Sequence, residues 1–202
     1  MSKLAIPKHV ALEEFMTEEE KFLRDATRGF VDGVIMPIRQ QVDADEREHK
    51  IIEPVMKQVL VDFGAQRMII PDKYGGLGIT SFQEVYWAAE EISRGDSGMC
   101  VAALCTGWPM VPIVYEPYRR DDLLEEFAKI FCGDEAHFGC FAMTEPQGGC
   151  DIENVETMKG RTIRTTAELD GDEWVINGEK QWPTNSGIAS LYLTVCTTNP
   201  DL

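Results

Sequence analysis

The apolar residues of this chain change their period near Gly133, and that change restricts the folds open to it. Before it, they recur at helical spacing. Thr17 followed by Glu20 has the form of a capping box, in which each side chain satisfies a backbone N–H left over in a first helical turn. Phe22, Ala26, Phe30 and Val34 then follow at four-residue spacing, predicting one apolar helix face. Pro54 suits the first position of a second helix, with Val55, Met56, Val59, Leu60 and Phe63 as its buried face and Gly64 as its stop. Ser81 and Glu84 read as another capping box, opening a helix through Phe82, Val85, Ala89 and Ile92 that ends near Gly95. A small-residue helix over 97–105 and one carrying Leu123, Leu124, Phe127, Ile130 and Phe131 complete this part, with the Gly- and Pro-rich "IIPDKYGGLG" (69–78) as a loop.

After Gly133 the period becomes two. Ile163, Thr165, Ala167 and Leu169 fall on one face of a strand, Asp170-Gly171 and Asn177-Gly178 are hairpin-turn signals, and 190–197 reads as a further strand. Helices first and strands second predict an α+β chain, a helical bundle domain over 1–133 followed by an antiparallel β domain over 134–202. The turn signal Asn199-Pro200 after the last strand suggests that this β domain is incomplete, since an open edge invites pairing.

Charge narrows the function. A formal net charge of −16 argues against nucleic acid and against anionic membrane surfaces, both of which ask for basic faces. No run approaches a membrane span, and the first residues lack the apolar core of a secretory signal, so a cytoplasmic protein is expected. The six cysteines form no C-x-x-C pair and read as reduced thiols, several of them core residues. Cys132, His137 and Cys140 lie close together but lack a fourth ligand in register, so no metal is expected.

Two short stretches remain. In "TEPQGGCD" (144–151), glycines let backbone N–H groups approach an anion or a flat ring, flanked by the Thr144 hydroxyl and the Cys150 thiol. The same residues would equally make a tight turn with no ligand. In "NGEKQWPTN" (177–185), Trp182 suits either a core position or the face of a planar heteroaromatic cofactor. Together the two stretches could form two walls of one cleft.

Thr-Glu-Pro-x-x-Gly-x-Asp followed by Asn-Gly-x-Lys-x-Trp-x-Thr-Asn resembles the acyl-CoA dehydrogenase flavoproteins, and the likeness extends to the "IPDKYGGLG" loop and "EEISRGDSGMC". The resemblance implies an FAD enzyme of fatty acid or amino acid catabolism that oxidises an acyl-CoA to its 2,3-enoyl form. It implies flavin contacts at Phe141, Met143 and Thr144, contact with the cofactor pyrophosphate and the acyl-CoA around Gly149 and Cys150, Trp182 against the flavin ring and Thr184 near its N5. The helix around Val101–Thr106 would line the acyl pocket. Family members carry their base, a glutamate, in a C-terminal helical domain that these 202 residues do not include, so no catalytic residue is assigned here and Glu145 reads as structural. The same resemblance implies an electron-transfer flavoprotein as acceptor and a homotetramer. Cys150, Phe141 and Pro183 stand where the family usually has serine, often tyrosine and commonly an aliphatic residue. Two alternatives keep the fold: a natural non-catalytic short subunit that completes a partner carrying the base, and a related flavin monooxygenase or oxidase.

Overall fold

The computed structural model describes residues 12–45, 48–149 and 163–199. In chain order the helices are α1 (Glu18–Phe30), α2 (Arg39–Ala44), α3 (Ile52–Lys57), α4 (Phe82–Gly95), α5 (Ser97–Gly107), α6 (Val111–Val114) and α7 (Asp121–Phe131). The strands are β1 (Phe138–Ala142), β2 (Thr166–Asp170), β3 (Glu173–Asn177) and β4 (Ala189–Thr194). Helices then strands is the expected α+β class. Contacts group the chain into two compact units, one of Met1–Val55 with Ile79–Cys100, the other of Met56–Gly78 with Val101–Leu202.

In the first unit α1 starts as its sequence requires. The Thr17 amide donates to Glu20 Oε2 at 2.8 Å, and the Glu20 amide donates to Thr17 Oγ1 at 3.2 Å. The buried face is not the expected one, however. Phe22 is 77% exposed, while Thr27, Val31 and Ile35 are fully buried. The stripe is offset by one residue because Val31 and Ile35 close over Gly95 at the end of α4. It is carried on by a wide turn in which the Met36 amide reaches back five residues to Val31 O at 2.9 Å. The cap of α4 is simpler than the expected box: Ser81 Oγ accepts from the Glu84 amide at 3.4 Å.

In the second unit Val59, Leu60, Ile70, Met110, Leu124 and Phe131 are buried. The second helix starts two residues earlier than expected, at Ile52 with Pro54 third in it, and stops as expected at Gly64, which takes the left-handed conformation (φ 89°). Gln66 ties three segments together: its amide nitrogen donates to Phe131 O and Glu135 O, and its oxygen accepts from the His137 amide, each at 3.0 Å. The apolar residues of α5, extended through α6, correct one expectation. Ser97–Val114 is an 18-residue run of mean hydropathy 1.5, long and apolar enough for a membrane span, but half of it is buried within the protein, as in a core helix.

Strand pairing differs from an all-antiparallel layout. β2 and β3 form the expected hairpin across Asp170-Gly171, with Thr166 opposite Asn177 and Asp170 opposite Glu173. β1 and β4 run parallel, Gly139 against Leu191 and Ala142 against Thr194. Parallel pairing needs a long crossover, and the chain between these strands supplies one. Asn177-Gly178 makes no second hairpin. Gly178 (φ 155°) instead passes over Thr165, where a Cβ would come within 2.5 Å of the Thr165 Cα, and the chain continues to β4 through a loop.

Candidate cofactor site

The TEPQGG stretch is a tight turn just beyond β1. The Glu145 amide donates to Gly148 O at 2.8 Å and the Gly148 amide donates back to Glu145 O at 3.1 Å, leaving Pro146 and Gln147 at the tip. The turn is not isolated. The Gln181 amide donates to Thr144 O at 2.9 Å, and Lys180 Nζ donates to Met143 O at 3.0 Å. The two motifs, separated by some three dozen residues of sequence, are therefore adjoining pieces of backbone.

Glu145 fastens them. Its side chain is 3% exposed and its carboxylate takes five donors: Lys180 Nζ at 2.9 Å, the Thr165 hydroxyl at 2.6 Å, the Thr165 amide at 2.9 Å, the Arg164 amide at 2.7 Å and the Gln147 amide nitrogen. Burial alone pushes a carboxyl upward, but the Lys180 ammonium, Thr165 and the two backbone amides outweigh it and hold Glu145 at about 2. A carboxylate so acidic and so fully hydrogen-bonded is a poor base, which agrees with its structural reading.

Around this fastening stand the residues singled out from the sequence. Phe141, on β1, is half-buried, its ring meeting Trp108 edge-on at 5.6 Å. Met143 and Thr144 are half-buried and continue β1 into the turn. Gly149 lies against Thr144: a Cβ there would sit 3.0 Å from the Thr144 hydroxyl oxygen. Trp182 is not core. It is 79% exposed and adopts a left-handed backbone (φ 37°). Thr184, two residues on, is exposed. Cys150 lies outside the described residues, so its expected contacts with pyrophosphate and acyl-CoA are not part of this geometry. Val101 is 47% exposed, whereas Ala103, Cys105 and Thr106 are buried.

The sequence placed Lys180 and Asn185 within the NGEKQWPTN motif and Thr165 on a strand face, but assigned none of the three a site role. Asn185 (φ 68°) donates through its side-chain nitrogen to Gly139 O at 3.0 Å and to Ala102 O at 2.9 Å. Their place in the motif singles out Lys180 and Asn185, and only the long-range partners show what they hold. The cysteine-histidine cluster does not gather: among the described residues no group of three or more metal-ligating side chains could hold an ion. His137 Nδ1 lies 3.0 Å from Ser190 Oγ and Cys140 is buried in β1. Burial raises the thiols of Cys100, Cys132, Cys140 and Cys196, so none is a ready nucleophile.

The fold and the joined motifs are those of one family. Residues 17–116 match the acyl-CoA dehydrogenase N-terminal domain and residues 140–201 the acyl-CoA dehydrogenase middle domain. The chain belongs to the acyl-CoA dehydrogenase family. It is 30% identical over 185 residues to a cyclohexane-1-carbonyl-CoA dehydrogenase of Syntrophus aciditrophicus (strain SB), covering 92% of this chain and 44% of the relative. It is 29% identical over 187 residues to the mitochondrial short-chain specific acyl-CoA dehydrogenase of Bos taurus, covering 93% and 42%. A solved structure of the flavoprotein nitroalkane oxidase superposes with a TM-score of 0.74 at 22% identity, over 93% of this chain and 44% of that one, a likeness of fold. The chain thus spans less than half the length of these relatives.

Proposed function

We propose that this chain forms the flavin-facing part of an FAD-dependent acyl-CoA dehydrogenase. The supporting observation is the stitching of the TEPQGG turn to the NGEKQW segment through Gln181 and Lys180, with the Trp182 indole left open to solvent beside it. A planar ring fits such a place. Trp182 offers a bare π face, Thr144 a hydroxyl at the adjoining strand end, and Gly149 a spot where the backbone has no side chain in the way.

On this reading Phe141, Met143, Thr144, Trp182 and Thr184 hold the flavin ring, and Gly149 and Cys150 face the pyrophosphate and the acyl-CoA. FAD, when bound, supplies the acceptor for the hydride that leaves the β-carbon of the acyl group. The protein orients the thioester so that its α-proton faces a carboxylate base, giving the 2,3-enoyl-CoA. Glu145 is not that base, because its carboxylate is buried and spoken for by five donors. The base belongs to the remaining length that the relatives possess. A homotetramer, an electron-transfer flavoprotein as acceptor and a cytoplasmic setting accompany the proposal.

The purified full-length protein is expected to be yellow and to bleach anaerobically with an acyl-CoA. A colourless protein that takes up no added FAD would overturn the reading. The nitroalkane oxidase likeness favours a second possibility, an oxidase acting on a substrate without CoA, because fold does not fix reaction class. Oxygen consumption with such a substrate, and no bleaching by acyl-CoA, would select it.

A further inference from the structure

Segment 180–185 is tied down by side chains at both ends, with Trp182 exposed between them. At one end the Lys180 side chain is only 10% exposed, and its ammonium reaches Met143 O at 3.0 Å and Glu145 Oε1 at 2.9 Å. At the other, the Asn185 side-chain nitrogen is shared between Gly139 O at 3.0 Å and Ala102 O at 2.9 Å, while its carbonyl accepts from the Ile188 and Ala189 amides at 3.0 and 2.9 Å, leading into β4. Between these anchors Trp182 is strained and unburied at once. Its φ of 37° is a conformation that side chains other than glycine adopt at a cost, and 79% exposure returns little hydrophobic gain for it.

Packing among the described residues does not account for a large indole held in a costly backbone state. The Gln181 amide, donating to Thr144 O at 2.9 Å, holds the backbone beside it, and the two side-chain anchors fix the ends of the segment. Both grip the same strand: Gly139 lies in β1, and Met143 follows directly from its end. The loop is thereby referenced to β1 and the turn that carries Thr144. Asn185 is also chemically apt, since asparagine tolerates its own left-handed φ of 68° better than most residues.

We propose that Lys180 and Asn185 are positioning residues for Trp182, fixing its indole relative to β1 as a preset platform for the flavin ring. This rests on the flavin-binding reading above. It adds that the loop is ordered before the cofactor arrives, so that little affinity is lost in arranging it.

The test uses the purified full-length protein and Asn185→Gly, which keeps the left-handed backbone easy while removing both side-chain donors. Its near-UV circular dichroism is compared with that of wild type and Trp182→Phe, so that the Trp182 contribution is isolated. FAD affinity is measured by titration. Asn185→Gly is expected to melt close to wild type, to lose the Trp182 dichroic signal, and to bind FAD roughly tenfold more weakly, the loss of one to two hydrogen bonds. Adding Asn185→Gly to Trp182→Phe should weaken FAD no further, because both changes remove the same platform. Lys180→Arg should retain more of the signal and affinity than Lys180→Met. A folded Asn185→Gly with an unchanged dichroic signal, or a loss that adds in full to that of Trp182→Phe, would overturn the proposal. If wild type binds no FAD, the parent reading fails on its own evidence, and the dichroic comparison still decides whether Asn185 positions the indole.

Discussion

Two glutamates, one in each unit, are almost equally buried and both paired with cations, yet they do different things. Glu91 of α4, 4% exposed, accepts from Arg28 Nε at 3.0 Å and Arg94 Nε at 2.9 Å, and Arg94 reaches on to Asp32 at 2.7 Å. Its arginines are 49% and 37% exposed, so solvent shares the work of stabilising them. Glu145 is 3% exposed and its lysine 10%, and backbone amides supply much of its remaining hydrogen bonding. Burial opposes ionisation in both, and in both the cation and hydrogen bonds prevail. The first staples α1 to α4 from the surface. The second closes a knot inside the candidate site. A wet ion pair can lose one member and let water compensate, whereas a dry one cannot.

The sharpest way to separate the two is Lys180→Met. It leaves the Glu145 carboxylate buried without its cation and should cost about 3–5 kcal/mol in urea unfolding, the range for breaking a buried pair. A cost no larger than that of Arg28→Met would erase the distinction. Next comes acid. The folded Glu145 carboxyl titrates at about 2, below its ordinary 4.5, so the unfolded chain takes up the proton first. Its contribution is complete above about pH 4.5 and is lost as pH falls toward 2, on the order of 3 kcal/mol. Glu145→Gln should flatten that stretch of the stability curve, and an unchanged slope would show that other carboxylates dominate it.

Glu91→Gln should cost less, roughly 1–2 kcal/mol, because Arg28 and Arg94 can turn to water. Its effect should fade in high salt more than that of Lys180→Met. The smallest change is Thr17→Ala, which removes the α1 cap and should cost about 1 kcal/mol. Hydrogen exchange should report its effect in α1, with no change in amides around Thr144 and Gln181. Protection lost at both places would mean that the units unfold together.

Features decided within a few residues were legible beforehand. The Thr17–Glu20 box, the left-handed stop at Gly64 and the Asp170-Gly171 hairpin each depend on near neighbours in sequence, and each is present. The two motifs could be picked out because their residue types are unusual at that spacing. What failed was set by distant partners. The α1 stripe slipped from Phe22 to Thr27, Val31 and Ile35 because Gly95 of α4 accepts them. Asn177-Gly178 looks like a hairpin turn, but Thr165 lies beneath it and the chain is diverted.

The sequence by itself determined the order of helices and strands, the helix caps, the acidic surface and the pair of motifs, because periodicity, capping chemistry and charge act locally. Only the tertiary structure decided that β1 and β4 run parallel, that Trp182 stands exposed among the described residues, and that Lys180 and Asn185 grip β1 and the residues just after it. Those outcomes depend on carbonyls and carboxylates brought close by packing of distant segments, and a one-dimensional pattern carries no record of which distant acceptor a lysine or asparagine will meet.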